Sequence, residues 1–301
     1  MLAHRRCCRA GVVLGSVALS AMVALPGAVH AQGKPEPAKL DTVKLEARYT
    51  VTLSGIPVGS GTWVIDIAPD QYTAVASGRT TGLVKLISDG SGTTGARGTF
   101  TATQTVPASY VSTMTTDKRT DEVRMALSAG VVKDVTIDPP PPPPGPDRVP
   151  VTDAHRRGVT DPMSAVLVPV AGTGDVVTPD VCKRKLAVFD GRQRADIDLV
   201  YKRMDHVKAA KGYEGPVVVC TLLYNPIAGH RPERAAIKYL VAQRDMELWF
   251  APIAGTRVLV PFRFSVPTPL GPGILQAHYF VAGPRAPQTA RDTPPVTAKT
   301  Q

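Results

Sequence analysis

The chain has 301 residues, 43% hydrophobic and 20% charged. That is ordinary globular material, enough for one large core or two small ones. Lys and Arg number 35 against 25 acids, so the balance is basic, but aromatics at 5% argue against the stacking platforms that hold single-stranded nucleic acid. No nucleic-acid partner is expected.

Residues 1–31 read as a secretory signal peptide. Arg5, Arg6 and Arg9 make a positive start, and Ala10 to Leu25 is largely apolar and uncharged. Pro26 and Gly27 break that run, and Val29 and Ala31 supply the small residues of a cleavage site after Ala31. The apolar run is short for a transmembrane span, so no span is expected after cleavage and the product is expected in a periplasm. Cys7 and Cys8 leave with the signal, and the residue directly after Ala31 is Gln32, not Cys, so no lipid anchor is expected. Residues 32–38 are polar and Pro-containing, a flexible leader.

The first strand has the clearest signal. Leu45, Ala47, Tyr49, Val51 and Leu53 alternate with Glu46, Arg48, Thr50 and Thr52, the period of two that marks a half-buried strand. Gly55 to Gly59 is expected to turn the chain. Trp63, Ile65 and Ile67 alternate next, then Tyr72, Ala74 and Ala76. Gly98 to Val106 and Ala108 to Thr115 are Thr-rich and alternating, and Val123 to Leu127 and Val131 to Ile137 continue the meander. The run Pro139 to Pro144 cannot join a ladder. It is expected to be a polyproline II segment in a loop over 138–150.

The second half opens at Thr160-Asp161-Pro162, where Asp161 suits an N-cap and Pro162 the first helical position. The spacing predicts one short helix over Met163 to Val168. Leu186 to Phe189 and Ile197 to Val200 read as a hairpin around Asp190-Gly191. Val217 to Leu223 is an apolar, β-branched run. Arg234 to Val241 carries helix formers, but Ile237, Tyr239 and Val241 alternate, and a strand is predicted there. Met246 to Phe250, Arg257 to Val266 and Ile274 to Val281 complete the set, with a disordered tail over 283–301. About a dozen short strands and one helix predict an all-β fold: one domain over 39–282, a large antiparallel curled sheet or open β-barrel.

Several of these segments resemble a bacterial envelope family, domain of unknown function number 3108. Tyr49 to Gly61 is similar to its opening strand pair, and Thr160 to Leu167 to its Asp-Pro-Leu-Ser-Ala helix, with Met163 in place of the usual Leu. Phe189 to Arg192 resembles its Asp-Gly-Arg hairpin, and Val258 to Arg263 with Thr268 to Gly271 its closing strands. The resemblance implies a periplasmic curled sheet or open barrel. It transfers no activity and no catalytic residue.

The two remaining cysteines, Cys182 and Cys220, are expected to form a disulfide, as pairs in exported chains do. A metal site is the weaker reading, because neither has a Cys-x-x-Cys partner or a nearby His. Gly90 to Gly95 matches Gly-x-Gly-x-x-Gly, but the following Ala96 to Thr101 is strand-like. A dinucleotide site needs a helix there, so the motif reads as a flexible hairpin loop and no cofactor is expected. His155, His206, His230 and His278 stand singly, and Asp196 with Asp198 reads as a charged solvent face. With no catalytic residues and no metal, the chain is expected not to be an enzyme.

Two surfaces remain as candidates. Tyr49, Val51, Leu53, Trp63, Ile65 and Ile67 would line the inner face of the curved sheet, as core or as the wall of a pocket for an acyl chain or other hydrophobic ligand. Between Lys183 and Lys211, nine Lys or Arg face four Asp. Lys183, Arg184, Lys185, Arg192 and Arg194 there would suit anionic headgroups. The reading is a non-enzymatic periplasmic protein that binds a lipid-like ligand. The alternative is an envelope scaffold working through contacts with a partner protein.

Overall fold

A computed structural model describes residues 42–285, apart from 83–84, 86–88, 142 and 144. The expectations for 1–31, 32–38, most of the tail, Pro142 and Pro144 lie outside the described residues.

Strand β1 (Val43–Leu53) buries Leu45, Ala47 and Tyr49 and sends Lys44, Arg48 and Thr50 outward, as a period of two requires. Ser54 and Gly55 both have positive φ (49° and 80°), the two-residue turn whose twist matches a hairpin. The reversal is therefore tighter than expected, and Ile56 to Gly59 already belongs to β2 (Ile56–Ile67). The meander continues through β3 (Gln71–Thr80), β4 (Gly90–Phe100), β5 (Thr105–Thr116), β6 (Thr120–Ser128) and β7 (Val131–Asp138). Ala129 and Gly130 repeat the positive-φ turn between β6 and β7.

After the proline segment come α1 (Pro162–Ala165), β8 (Val168–Pro169), β9 (Arg184–Phe189), β10 (Arg194–Lys208), β11 (Lys211–Gly212) and β12 (Glu214–Ala228). Then follow α2 (Ala235–Ala242), β13 (Glu247–Pro252), β14 (Val258–Val266) and β15 (Gly273–Pro284). The fold is all-β: one sheet with the order β7-β6-β5-β4-β3-β2-β1-β15-β14-β13-β12-β10-β9. Neighbours along this path are antiparallel, and β1 lies between β2 and β15.

The sheet does not close. Its edge strands β7 and β9 are joined through the segment 157–160, which bridges Val131 of β7 through Arg157 and Val188 of β9 through Thr160. Most large inner side chains, among them Leu45, Ile65, Phe189, Phe262 and Phe280, form one cluster. A second cluster gathers Val181, Cys182, Leu199, Val218, Cys220, Leu248 and Phe250. Cys182 and Cys220 are bonded there, with Cα atoms 5.4 Å apart, tying a helical turn to β12. Val217 to Cys220 are all fully buried, so this strand is covered on both faces, which explains its unbroken apolar run.

Four expectations are corrected. Arg234 to Val241 is not a strand: α2 occupies it, with Ile237 and Leu240 half-buried and Val241 exposed. Ile237 and Leu240 share one face at helical spacing beside the half-buried Tyr239, and Ala235, Ala236 and Ala242 favour the helix. There are thus two short α-helices among the described residues, and α1 stops at Ala165 because Val168-Pro169 pairs with β14. Gly98 to Val106 is a strand end, a turn at 101–104 and a strand start, held by Thr101 N donating to Gln104 O at 2.8 Å. Gly283 and Pro284 end β15 opposite Lys44 and Val43 and are not tail.

Candidate functional site

The inner face of β1 to β5 contains a row that carries almost no side chains. Cross-strand register places Tyr49 opposite Gly61, Gly61 opposite Gly78, Gly78 opposite Gly92, and Gly92 opposite Met114. Three adjacent glycines remove the layer of side chains that would fill a small barrel. The result is a cavity of about 780 Å³, within the ~300–1,000 Å³ range of small-molecule sites.

Its wall is apolar. Tyr49, Val51, Trp63, Ala76 and Met114 line it from the first half of the sheet, and Leu222, Leu248, Phe264 and Leu275 from the second. Met163 and Val166 close it from the α1 side. The Tyr49 hydroxyl is already used, donating to Pro261 O at 2.7 Å. The Trp63 indole N–H is buried and has no hydrogen-bond partner among the described residues.

Helix α1 is held inside the curve by a buried polar chain. Asp161 caps it, accepting from Met163 N and Ser164 N at 2.9 Å each. Ser164 Oγ donates to the other Asp161 oxygen, and Tyr72 OH donates to Ser164 Oγ at 2.6 Å. Thr105 Oγ1 adds a bond to Ser164 O at 3.0 Å. Burial raises the Asp161 carboxyl above the ordinary carboxylate range, against these hydrogen bonds. It also raises the Tyr49 and Tyr72 hydroxyls, and Tyr110 to about 12. Every carboxylate lone pair used here meets a helix or hydroxyl donor, so this cluster anchors the plug.

The six inner-face candidates divide. Tyr49, Val51 and Trp63 line the cavity, whereas Ile65 and Ile67 are packed in the core and Leu53 lies half-buried outside the lining. The five basic candidates do not form one free patch. Lys183 pairs with Asp180 at 2.8 Å, Arg192 with Asp121 at 3.2 Å, Arg194 with Asp196 at 2.8 Å, and Lys185 reaches Asp198 at 3.9 Å. Arg184 instead donates to the carbonyls of Thr103 (2.7 Å) and Pro169 (2.8 Å), and burial lowers its pKa.

Gly90 to Gly95 is not a hairpin loop but the first half of β4. Its spacing serves the wall: residues two apart face one side of a strand, and the Gly-x-Gly pairs 59/61 and 90/92 both touch the cavity. That pairing, together with Gly78, is the signal the sequence reading missed. No group of three metal-ligating side chains occurs among the described residues, and no described helix is long and apolar enough to cross a membrane.

An open, curled antiparallel sheet around an apolar cavity, stapled by the Cys182–Cys220 disulfide, defines the class. The chain belongs to the family described as protein of unknown function (DUF3108), whose model matches residues 48–277. Among solved structures it is similar to the beta-barrel-like protein of domain of unknown function DUF1849 from Brucella abortus. The TM-score is 0.44 at 12% identity, covering 80% of this chain and 98% of that one. No curated protein matches the chain.

Proposed function

We propose that the protein is a non-enzymatic, periplasmic binding module that holds the acyl portion of a lipid-like ligand in the glycine-walled cavity. The observation that carries this reading is the cavity itself: about 780 Å³, walled by Val51, Trp63, Met114, Leu248 and Phe264. Transfer of an acyl chain into such a space gains about 0.8 kcal/mol per buried methylene. The signal-like residues 1–31 and the Cys182–Cys220 bond support an oxidising compartment.

The test is native mass spectrometry of protein purified from a periplasm, with organic extraction of the same sample and titration with a fluorescent fatty acid. The expected result is a discrete lipid-sized added mass that appears in the extract, and saturable, stoichiometric uptake of the probe. A bare protein mass together with no saturable uptake overturns the reading.

A further inference from the structure

The seam where the sheet fails to close holds a second cleft, of about 760 Å³, separate from the glycine-walled cavity. One wall is the start of β9, Arg184 to Ala187, and the other is Thr103 to Pro107 at the start of β5. Both walls are incomplete ladders. Pairing of β5 with β6 begins only at Ser109, so Thr105 to Ala108 has no partner on that side.

On β9 the chain begins a ladder of its own and abandons it. Thr160 N donates to Ala187 O and Phe189 N donates to Thr160 O, each at 2.9 Å. The chain on the N-terminal side then leaves through Gly158, whose φ is +62°. Alternation puts Lys185 on the same side of the strand as Ala187 and Phe189. The N–H and C=O of Lys185 and the N–H of Ala187 therefore face the cleft, with no backbone partner among the described residues. Unpaired edge groups of this kind are a template for another strand.

The chemistry of the lining selects the strand. Lys183, Arg184 and Lys185 line the cleft; Asp180 pairs with Lys183 at 2.8 Å and Asp198 lies 3.9 Å from Lys185, so the group stays net basic. Arg184 ties the two walls together through Thr103 O and has no carboxylate partner, and its Nε is unbonded. The floor, Ala165, Leu167 and Val168, is apolar. We infer that this seam is a docking site for an extended, acidic peptide segment of a partner protein, which adds to β9 beside Lys185 and continues the ladder that Thr160 begins. Acidic side chains on one face of that strand meet Lys183 and Lys185, and apolar ones on the other meet the floor. The four residues of the free edge span about 13 Å, so the recognised core is short.

The test uses the full exported chain and two labelled nonapeptides, one alternating Val with Glu and one alternating Val with Lys. Fluorescence anisotropy and amide hydrogen exchange are read together. The acidic peptide is expected to bind saturably, at least about tenfold more tightly than the basic one, and to slow exchange at the amides of Lys185 and Ala187. The double variant Lys183→Glu, Lys185→Glu is expected to reverse the preference with its thermal midpoint kept. Lys185→Pro, which removes one edge donor, is expected to abolish binding of either peptide. Equal binding of both peptides, no binding up to about 1 mM, or protection confined to another edge overturns the proposal. So does protection of the same two amides on raising protein concentration alone, which would assign the edge to a second copy. Loss of lipid uptake leaves this result unaffected, because the two cavities share no lining residue.

Discussion

Single residues set both the room in the cavity and the acid response of the fold. A Cβ at Gly78 would meet nothing closer than Ser60 O at 3.5 Å, ordinary contact, and would point into the cavity beside Trp63 and Ala76. Gly78→Phe therefore enters the cavity with no clash at its Cβ and takes up part of the space. It is expected to abolish fatty-acid uptake while stability stays within about 1 kcal/mol, since replacing a strand Gly also removes an entropic cost. Isothermal titration and urea unfolding of the same sample check both halves. Two carboxylates act with opposite signs on pH. Glu247 sits under Arg203 (2.8 Å), Lys202 (2.9 Å) and the Trp249 indole N–H (2.8 Å), and Arg203 foremost lowers it to about 2. Its folded pKa lies below the unfolded value of about 4.3. Its stabilisation is therefore complete above that value and lost as pH falls through about 2. Asp161 is raised by burial, so its contribution is present below the unfolded value and declines as pH rises through the folded one. Urea midpoints measured against pH are expected to show Glu247→Gln flattening the acid limb. Asp161→Asn keeps the acceptor for Met163 N and Ser164 N and is expected to flatten the decline on the other side.

At the scale of elements, the most stable joint in the second half is covalent. The Cys182–Cys220 bond spans 38 residues, and the chain-entropy model gives such a loop about 3–4 kcal/mol. The double variant Cys182→Ala, Cys220→Ala is expected to lose that amount in urea unfolding. Hydrogen exchange is expected to rise first around Val181, Leu199 and Val218, the cluster the bond sits in. A loss below about 1 kcal/mol would show that packing alone holds the helical turn on β12. The elements themselves were legible wherever one face is buried and the other wet. Leu45, Ala47 and Tyr49 alternate because β1 has an inside and an outside. Cys182 and Cys220 were legible as a pair because they are the two cysteines beyond Cys7 and Cys8, and neither has the spacing of a metal ligand. The N-terminal half of β4 was not, because Gly90, Gly92 and Gly95 carry no side chain to alternate and turn chemistry is their commoner use. Helix α2 was misread for the opposite reason: eight residues with none fully buried make too weak a burial pattern to separate a period of two from 3.6. The cavity was half legible. Tyr49, Val51 and Trp63 could be placed on the inner face, but the space in front of them comes from residues that are absent as side chains, in register across three strands. Register between strands is a tertiary property.

For the whole molecule, the decisive contact joins the two ends of the fold. β1 pairs with β15 along eleven residues, with Val43 opposite Pro284, and Arg285 N donates to Thr42 O at 2.8 Å. The first seven strands are a local meander, and the later strands return to complete the sheet beside the first. The sheet's free edges instead lie at β7 and β9, on either side of the proline segment. Beyond that segment the chain is anchored again, by Val149 N to His230 O (3.0 Å), Gly229 N to Val149 O (2.8 Å) and Arg231 with Asp147 (3.2 Å). The proline segment between Asp138 and Asp147 thus connects two anchored points, and its described residues join no ladder. A circular permutant follows from this geometry. It would begin at Asp147, run to Arg285, pass through a linker of about four Gly and Ser residues into Thr42, and end at Asp138. Adjacent strands lie only about 5 Å apart, so the linker need not strain either end. The permutant is expected to fold with a thermal midpoint within about 4 °C of the natural order and with unchanged fatty-acid uptake, because the glycine row lies in β2 to β4, far in sequence from both new ends. Calorimetry and probe titration read the two outcomes separately. A fall in midpoint beyond about 10 °C with uptake retained would show that the proline segment braces the seam. Loss of uptake with the midpoint kept would show that the connection between β7 and α1 sets the depth at which Met163 closes the cavity.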